Sequence, residues 1–229
     1  MGFERDVNNF PAFWRGIVEK WSEFNTQYYD QHSDLPAWYV ENSNSALFSA
    51  AAWVEGHQAL CEVDVDKRIY PGTPGRPASY PGRMDIELII DEKIYWVEAK
   101  RRAFTLSRDS NYSFRHAFLA TSVNEAHANS RQCRPAAKKI DAKMASIVFF
   151  SGHIDPEAAE REQNSTPQMR AEMVAEEISL LRENMRSMAK GMGGRLFHSV
   201  SSQRDYRIDK DWQGYYWPAA FGLVAVIEE

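Results

Sequence analysis

The 229 residues include 44% hydrophobic side chains and 27 basic against 32 acidic groups, for a formal charge of −5. A chain of this length buries roughly 70% of its unfolded surface, so it can fold as one large domain without disulfides or a structural metal. No run approaches the ~18 apolar residues of a membrane span, the charged opening Met1–Asp6 lacks the apolar core of a secretory signal, and Cys61 and Cys133 alone cannot build a four-ligand zinc site; the expectation is a soluble, cytoplasmic protein with no membrane partner.

Residues 10 to 28 read as an amphipathic helix, because Phe10, Phe13, Trp14, Ile17, Trp21, Phe24 and Tyr28 recur every three or four positions. Residues 30 to 44 are polar, contain Pro36 and read as a loop. A second helix is expected from Ser45 to Leu60, with Ala50–Ala52 packed closely on a neighbour. Cys61–Asp66 alternates apolar and acidic residues, the pattern of a half-buried strand. Proline and glycine make 71 to 82 a long loop. Strands follow at Met84–Ile90 and Lys93–Lys100, separated by the two-residue turn Asp91-Glu92. Residues 121 to 142 read as helix with a break at Pro135, and Ala145–Phe150 as a buried strand. Thr166-Pro167 opens a helix that Gly191 closes, with Val174, Ile178, Leu181, Met185 and Met188 as its apolar stripe, and Ala219–Ile227 is strongly β-prone.

Charge is distributed unevenly. Between Lys100 and Lys143 ten basic residues face three acids, a net +7 on a chain whose remainder carries −12. A local basic face on an acidic body suits phosphate binding, and equally a solvated helix face.

The chemistry concentrates in Asp85-Ile86-Glu87-Leu88 and Glu98-Ala99-Lys100. Strand side chains alternate, so Glu98 and Lys100 share a face, as do Asp85 and Glu87. A two-residue turn at 91–92 pairs Ile90 with Lys93, which sets Asp85 opposite Glu98 and Arg83 opposite Lys100. Opposed carboxylates repel. They are tolerated where a cation sits between them, and hard carboxylate oxygens suit Mg²⁺ or Mn²⁺; neutralisation by Lys100 and Arg83 on a solvated hairpin is the other reading. Lys100 is placed to meet a phosphate oxygen or an attacking water.

Asp85, twelve intervening residues and then Glu98-Ala99-Lys100 resembles the PD-(D/E)xK signature of the restriction-endonuclease-like nucleases, although Met84 rather than proline precedes Asp85. The resemblance implies an α/β fold with an αβββαβ core at about 45 to 150, flanked by a helical addition at 1–44 and a C-terminal extension at 151–229. It implies a metal-dependent nuclease, with DNA as the expected substrate. Asp85 and Glu98, with the Ala99 carbonyl, would hold Mg²⁺ or Mn²⁺, and Lys100 would activate water and meet developing charge. A further acid is expected from the preceding helix, with Glu55 first and Glu41 second. Arg102, Arg131 and Gln132 are the candidates for nucleic-acid contact. Two other classes remain: a nuclease-fold protein that binds nucleic acid or a protein partner without cleaving, and a homodimer formed through the 167–190 helix.

Overall fold

In the computed structural model, the described residues are 3–8, 10–32, 34–68, 79–105, 112–154, 176, 179–180, 183, 195–203 and 217–228. They form a mixed α/β structure around a seven-stranded sheet. In chain order the elements are β1 (Phe3–Asn8), α1 (Ala12–His32), a 3₁₀ turn at Pro36–Trp38, α2 (Glu41–Val54), β2 (Gln58–Arg68), β3 (Ser79–Ile90), β4 (Lys93–Thr105), α3 (Tyr112–Gln132), α4 (Arg134–Ala137), β5 (Lys143–Ile154), β6 (Arg195–Gln203) and β7 (Trp217–Ile227). The sheet order is β1-β6-β7-β5-β4-β3-β2. From α2 to β5 the order of elements is helix, three strands, two helices and a strand, where one helix with a break was expected between the last two strands. Of the helix expected at 167–190, only Glu176, Ser179, Leu180 and Glu183 are described, all helical; its apolar stripe and the dimer built on it lie outside the described residues.

Helix α1 lies along one face of the sheet. Trp14, Ile17, Val18 and Trp21 are fully buried, and Trp21 sits 5.3 Å from the Phe149 ring and 5.7 Å, edge-on, from Phe221. Asn25, also buried, donates to the Trp21 carbonyl at 2.9 Å and accepts from the Ala37 amide at 2.8 Å, fastening the 3₁₀ turn to the helix. The aromatic series is thus a packing face. Tyr28, expected on it, is 42% exposed.

Helix α2 starts four residues earlier than expected and ends six earlier. Gly56, at φ +84°, terminates it: its amide donates to the Trp53 carbonyl at 3.1 Å and the His57 amide to Ala52 at 2.9 Å, the paired bonds of a Schellman stop. That releases Gln58 into β2, which runs well beyond the expected Cys61–Asp66.

The β3–β4 turn is the one expected. Asp91 and Glu92 have φ of 49° and 64°, the two left-handed positions of a type I′ turn, and Ile90 pairs with Lys93 and Ile86 with Val97. The ladder stops there. Beyond Val97, β4 continues beside β5, in parallel, from Tyr95 to Thr105, whereas β3 stays with β2 as far as Ser79. The expected Asp85–Glu98 and Arg83–Lys100 pairings therefore do not form. Arg83 pairs with Asp64 instead, and its guanidinium lies 3.4 Å from Glu62.

The expected break near Pro135 separates α3 from α4. The C-terminal segment inserts β7 between β5 and β6, while β1 closes the far edge; β1 and β6 were not anticipated. Gly222 is required by this packing, since a Cβ there would lie 2.2 Å from the Ser199 carbonyl oxygen and 2.5 Å from the Phe150 ring. Among the described residues no helix is long and apolar enough to cross a membrane.

Candidate functional site

The end of the β3–β4 ladder creates the site. Past Val97, the edge of β4 that faced β3 has lost its strand partner, so its backbone groups must be satisfied otherwise. Asp85, the first β3 residue beyond the ladder, does this with its side chain: Oδ2 accepts from the Ala99 amide at 2.6 Å. The Ala99 carbonyl accepts from the Lys100 ammonium, also at 2.6 Å. Asp85, Glu98 and Lys100 are thereby gathered at one opening in the sheet.

Glu98 is the most enclosed of these groups, only 4% exposed. Its Oε1 lies 3.5 Å from the Lys100 ammonium and its Oε2 3.1 Å from that of Lys67. The second lysine comes from β2 and was not singled out in the sequence. Its stem passes over Gly82, where a Cβ would stand 2.8 Å from the Lys67 Cδ. A glycine in a strand is often the mark of such a close approach.

Glu41 completes the cluster. It is the first residue of α2, and its Oε1 lies 3.3 Å from the Lys100 ammonium. Glu55, the preferred candidate, is not brought here: the Gly56 stop leaves it as an exposed C-cap, with its carboxylate over Gly16 of α1. The runner-up acid is the one that reaches Lys100.

Electrostatics follow from burial and crowding. Burial raises the Asp85 pKa above the usual carboxylate range and the Glu98 charge adds to the rise, against the Ala99 amide, Lys100 and Lys67. Burial likewise raises Glu41; Lys100 opposes it and Asp85 reinforces it. For Lys67, burial pulls the ammonium down, but Glu98 outweighs it and the net shift is upward. Beneath the cluster, burial pushes the Cys133 thiol up to about 11, so it stays protonated and is a poor nucleophile at neutral pH.

Two of the remaining candidates, Arg102 and Gln132, are engaged with partners on α3 or β3. Arg102 is held by α3, donating to Ser122 Oγ and lying 3.2 Å from the Glu125 carboxylate. Gln132 accepts from the Tyr80 hydroxyl at 3.2 Å and donates to Asn129 at 3.4 Å. Arg131 is exposed on the last turn of α3.

In donor chemistry, the Asp85 and Glu98 carboxylates and the Ala99 carbonyl fit a hard divalent cation, which takes oxygen ligands. Among the described residues no three His, Cys, Asp or Glu side chains are drawn together tightly enough to form a metal-holding group by themselves. No family model, no curated protein and no solved structure matches the chain.

Proposed function

We propose that the protein is a divalent-metal-dependent nuclease that hydrolyses phosphodiester bonds, with DNA as its substrate. The observation that supports this reading is the meeting of Asp85, Glu98 and Lys100 where β3 leaves β4, with the Ala99 backbone held between Asp85 and Lys100. Satisfying the free Ala99 amide and carbonyl accounts for Asp85 and Lys100 but not for the buried Glu98 carboxylate beside them, whereas hydrolysis of a phosphodiester uses all three.

Asp85, Glu98 and the Ala99 carbonyl would hold Mg²⁺ or Mn²⁺. When bound, such an ion neutralises phosphate charge and lowers the pKa of a bound water. The chain supplies the rest. Lys100, braced by Glu41, Glu98 and the Ala99 carbonyl, places a positive charge where the pentacovalent phosphorus accumulates negative charge. Water attacks phosphorus, the bond to the leaving oxygen breaks, and no covalent enzyme intermediate is required. Arg102, Arg131 and Gln132 are the residues proposed to contact the nucleic acid.

The test is cleavage of DNA with Mg²⁺ or Mn²⁺ by the protein and by Lys100→Ala. Loss of one group that stabilises transition-state charge costs about 10²–10³ in rate, and that loss is expected in a variant that still folds and melts cooperatively. Equal activity in Lys100→Ala rejects the assigned site. A second reading, a non-cleaving protein that binds nucleic acid or a protein partner, draws on one observation: both Glu98 carboxylate oxygens already face ammonium groups. Tight DNA binding without cleavage under any divalent ion would decide for it.

A further inference from the structure

The placement of Lys67 carries an inference that rests on the nuclease reading and deepens it. Of the two ammonium groups on Glu98, Lys100 has other anchors, in Glu41 and the Ala99 carbonyl. Lys67 is directed to Glu98 itself, at 3.1 Å, with only 13% of its own side chain and 5% of the Glu98 side chain exposed. A buried carboxylate is retained in a protein when a counter-charge accompanies it. Lys67 supplies that charge from a different strand, over a glycine whose missing side chain leaves room for the stem. It thus occupies an oxygen that the nuclease reading assigns to the metal.

We propose that Lys67 is a stand-in cation, which holds Glu98 in the metal-free protein and must swing aside before a divalent ion can use that carboxylate. The lysine stem is flexible and its ammonium readily hydrated, so the exchange requires no movement of the sheet. Lys67 therefore sets the affinity of the site for its ion, and the metal-free protein is held in a stable, inactive form by its own side chain.

The experiment is Mn²⁺ binding without nucleic acid, followed by the paramagnetic signal of the free ion, for the unaltered chain, Lys67→Met, Arg83→Met and Asp85→Asn. Arg83 is the control for net charge, being 64% exposed and paired with Glu62 and Asp64. Expected is about tenfold tighter Mn²⁺ binding in Lys67→Met, a change of roughly one decade in the dissociation constant, with little change in Arg83→Met and loss of binding in Asp85→Asn. Should Lys67→Met not fold, Gly82→Ala replaces it, because the added methyl displaces the Lys67 stem while keeping the charge, and it too is expected to tighten binding. Unchanged or weaker binding in Lys67→Met, or equal tightening in Arg83→Met, overturns the stand-in role and leaves the nuclease reading intact. Absence of Mn²⁺ binding in every protein overturns both.

Discussion

Towards α1 and α2 the sheet presents Ile86, Leu88, Tyr95, Val97, Ile147 and Phe149, all buried and joined in one apolar cluster with Trp14 and Trp21. Towards α3 and α4 it presents a smaller cluster of Val65, Met84, Trp96, Cys133, Ala137 and Met144, and next to it the charged group of Glu98, Lys67 and Asp85. β4 and β5 contribute to both faces, because their alternate residues point in opposite directions. The second face also buries Leu119, Val123 and Ala126 of α3, and beside that apolar packing it holds buried charges, which weaken a fold unless they are paired.

The largest expected effect comes from attacking the apolar face. Trp21 is fully buried between Phe149 and Phe221, and truncating a buried aromatic costs about 3–5 kcal/mol. In a protein of this size each kcal/mol shifts the melting temperature by roughly 2–4 °C. Trp21→Ala is therefore expected to melt about ten degrees or more below the unaltered chain, read by circular dichroism. A shift of only a degree or two would mean that the aromatic face does not carry the stability assigned to it.

The second effect separates the two helix acids. Glu41 braces Lys100 and Glu55 does not. Glu41→Gln keeps the shape and removes the charge, and is expected to lower DNA cleavage by roughly tenfold, about 1.4 kcal/mol in barrier. Glu55→Gln is expected to cleave at the unaltered rate. Reversal of the two results would return the role to Glu55 and contradict the observed end of α2.

Which features could be read in advance depends on how local their causes are. The hairpin register was legible because Asp91-Glu92 is a two-residue turn between β-prone runs, and it carried Asp85 and Glu98 to the same end of the sheet. The aromatic spacing of α1 was legible for the same reason. Glu55 rather than Glu41 was expected beside Lys100 because the helix was carried through Gly56, where the stop depends on a left-handed glycine. β6 escaped notice because its inward positions include Ser199 and Ser201, which lack the apolar alternation that marks a strand; β1, with Glu4, Arg5 and Asp6 in its sequence, lacks that alternation too. Lys67 had no local signal, since its partner lies 31 residues away and it takes both the β2–β3 and the β3–β4 pairings to bring the two together.

The smallest expected effect isolates the cost of charge on the second face. Burial and the neighbouring Glu98 charge raise the Asp85 pKa in the folded chain. A carboxyl whose folded pKa lies above its unfolded value of about 3.9 holds its proton more tightly when folded. Its contribution to stability is full below the unfolded value and is lost as pH rises through the folded one. At neutral pH the fold therefore bears the ionised group at a cost. The amide that Asp85→Asn puts in its place does not ionise, and its oxygen can still accept from the Ala99 amide. In chelator, Asp85→Asn is expected to melt a few degrees above the unaltered chain near neutral pH, with the gap closing as pH falls towards about 4. The Glu41 pKa is raised as well, so some pH dependence should persist in the variant. Added Mg²⁺ should reverse the order, because only the chain that keeps the carboxylate gains from binding the ion. If Asp85→Asn instead melts lower at neutral pH by as much as it does in acid, the carboxylate is acting as a structural acceptor for Ala99 and not as a charge held ready for a cation.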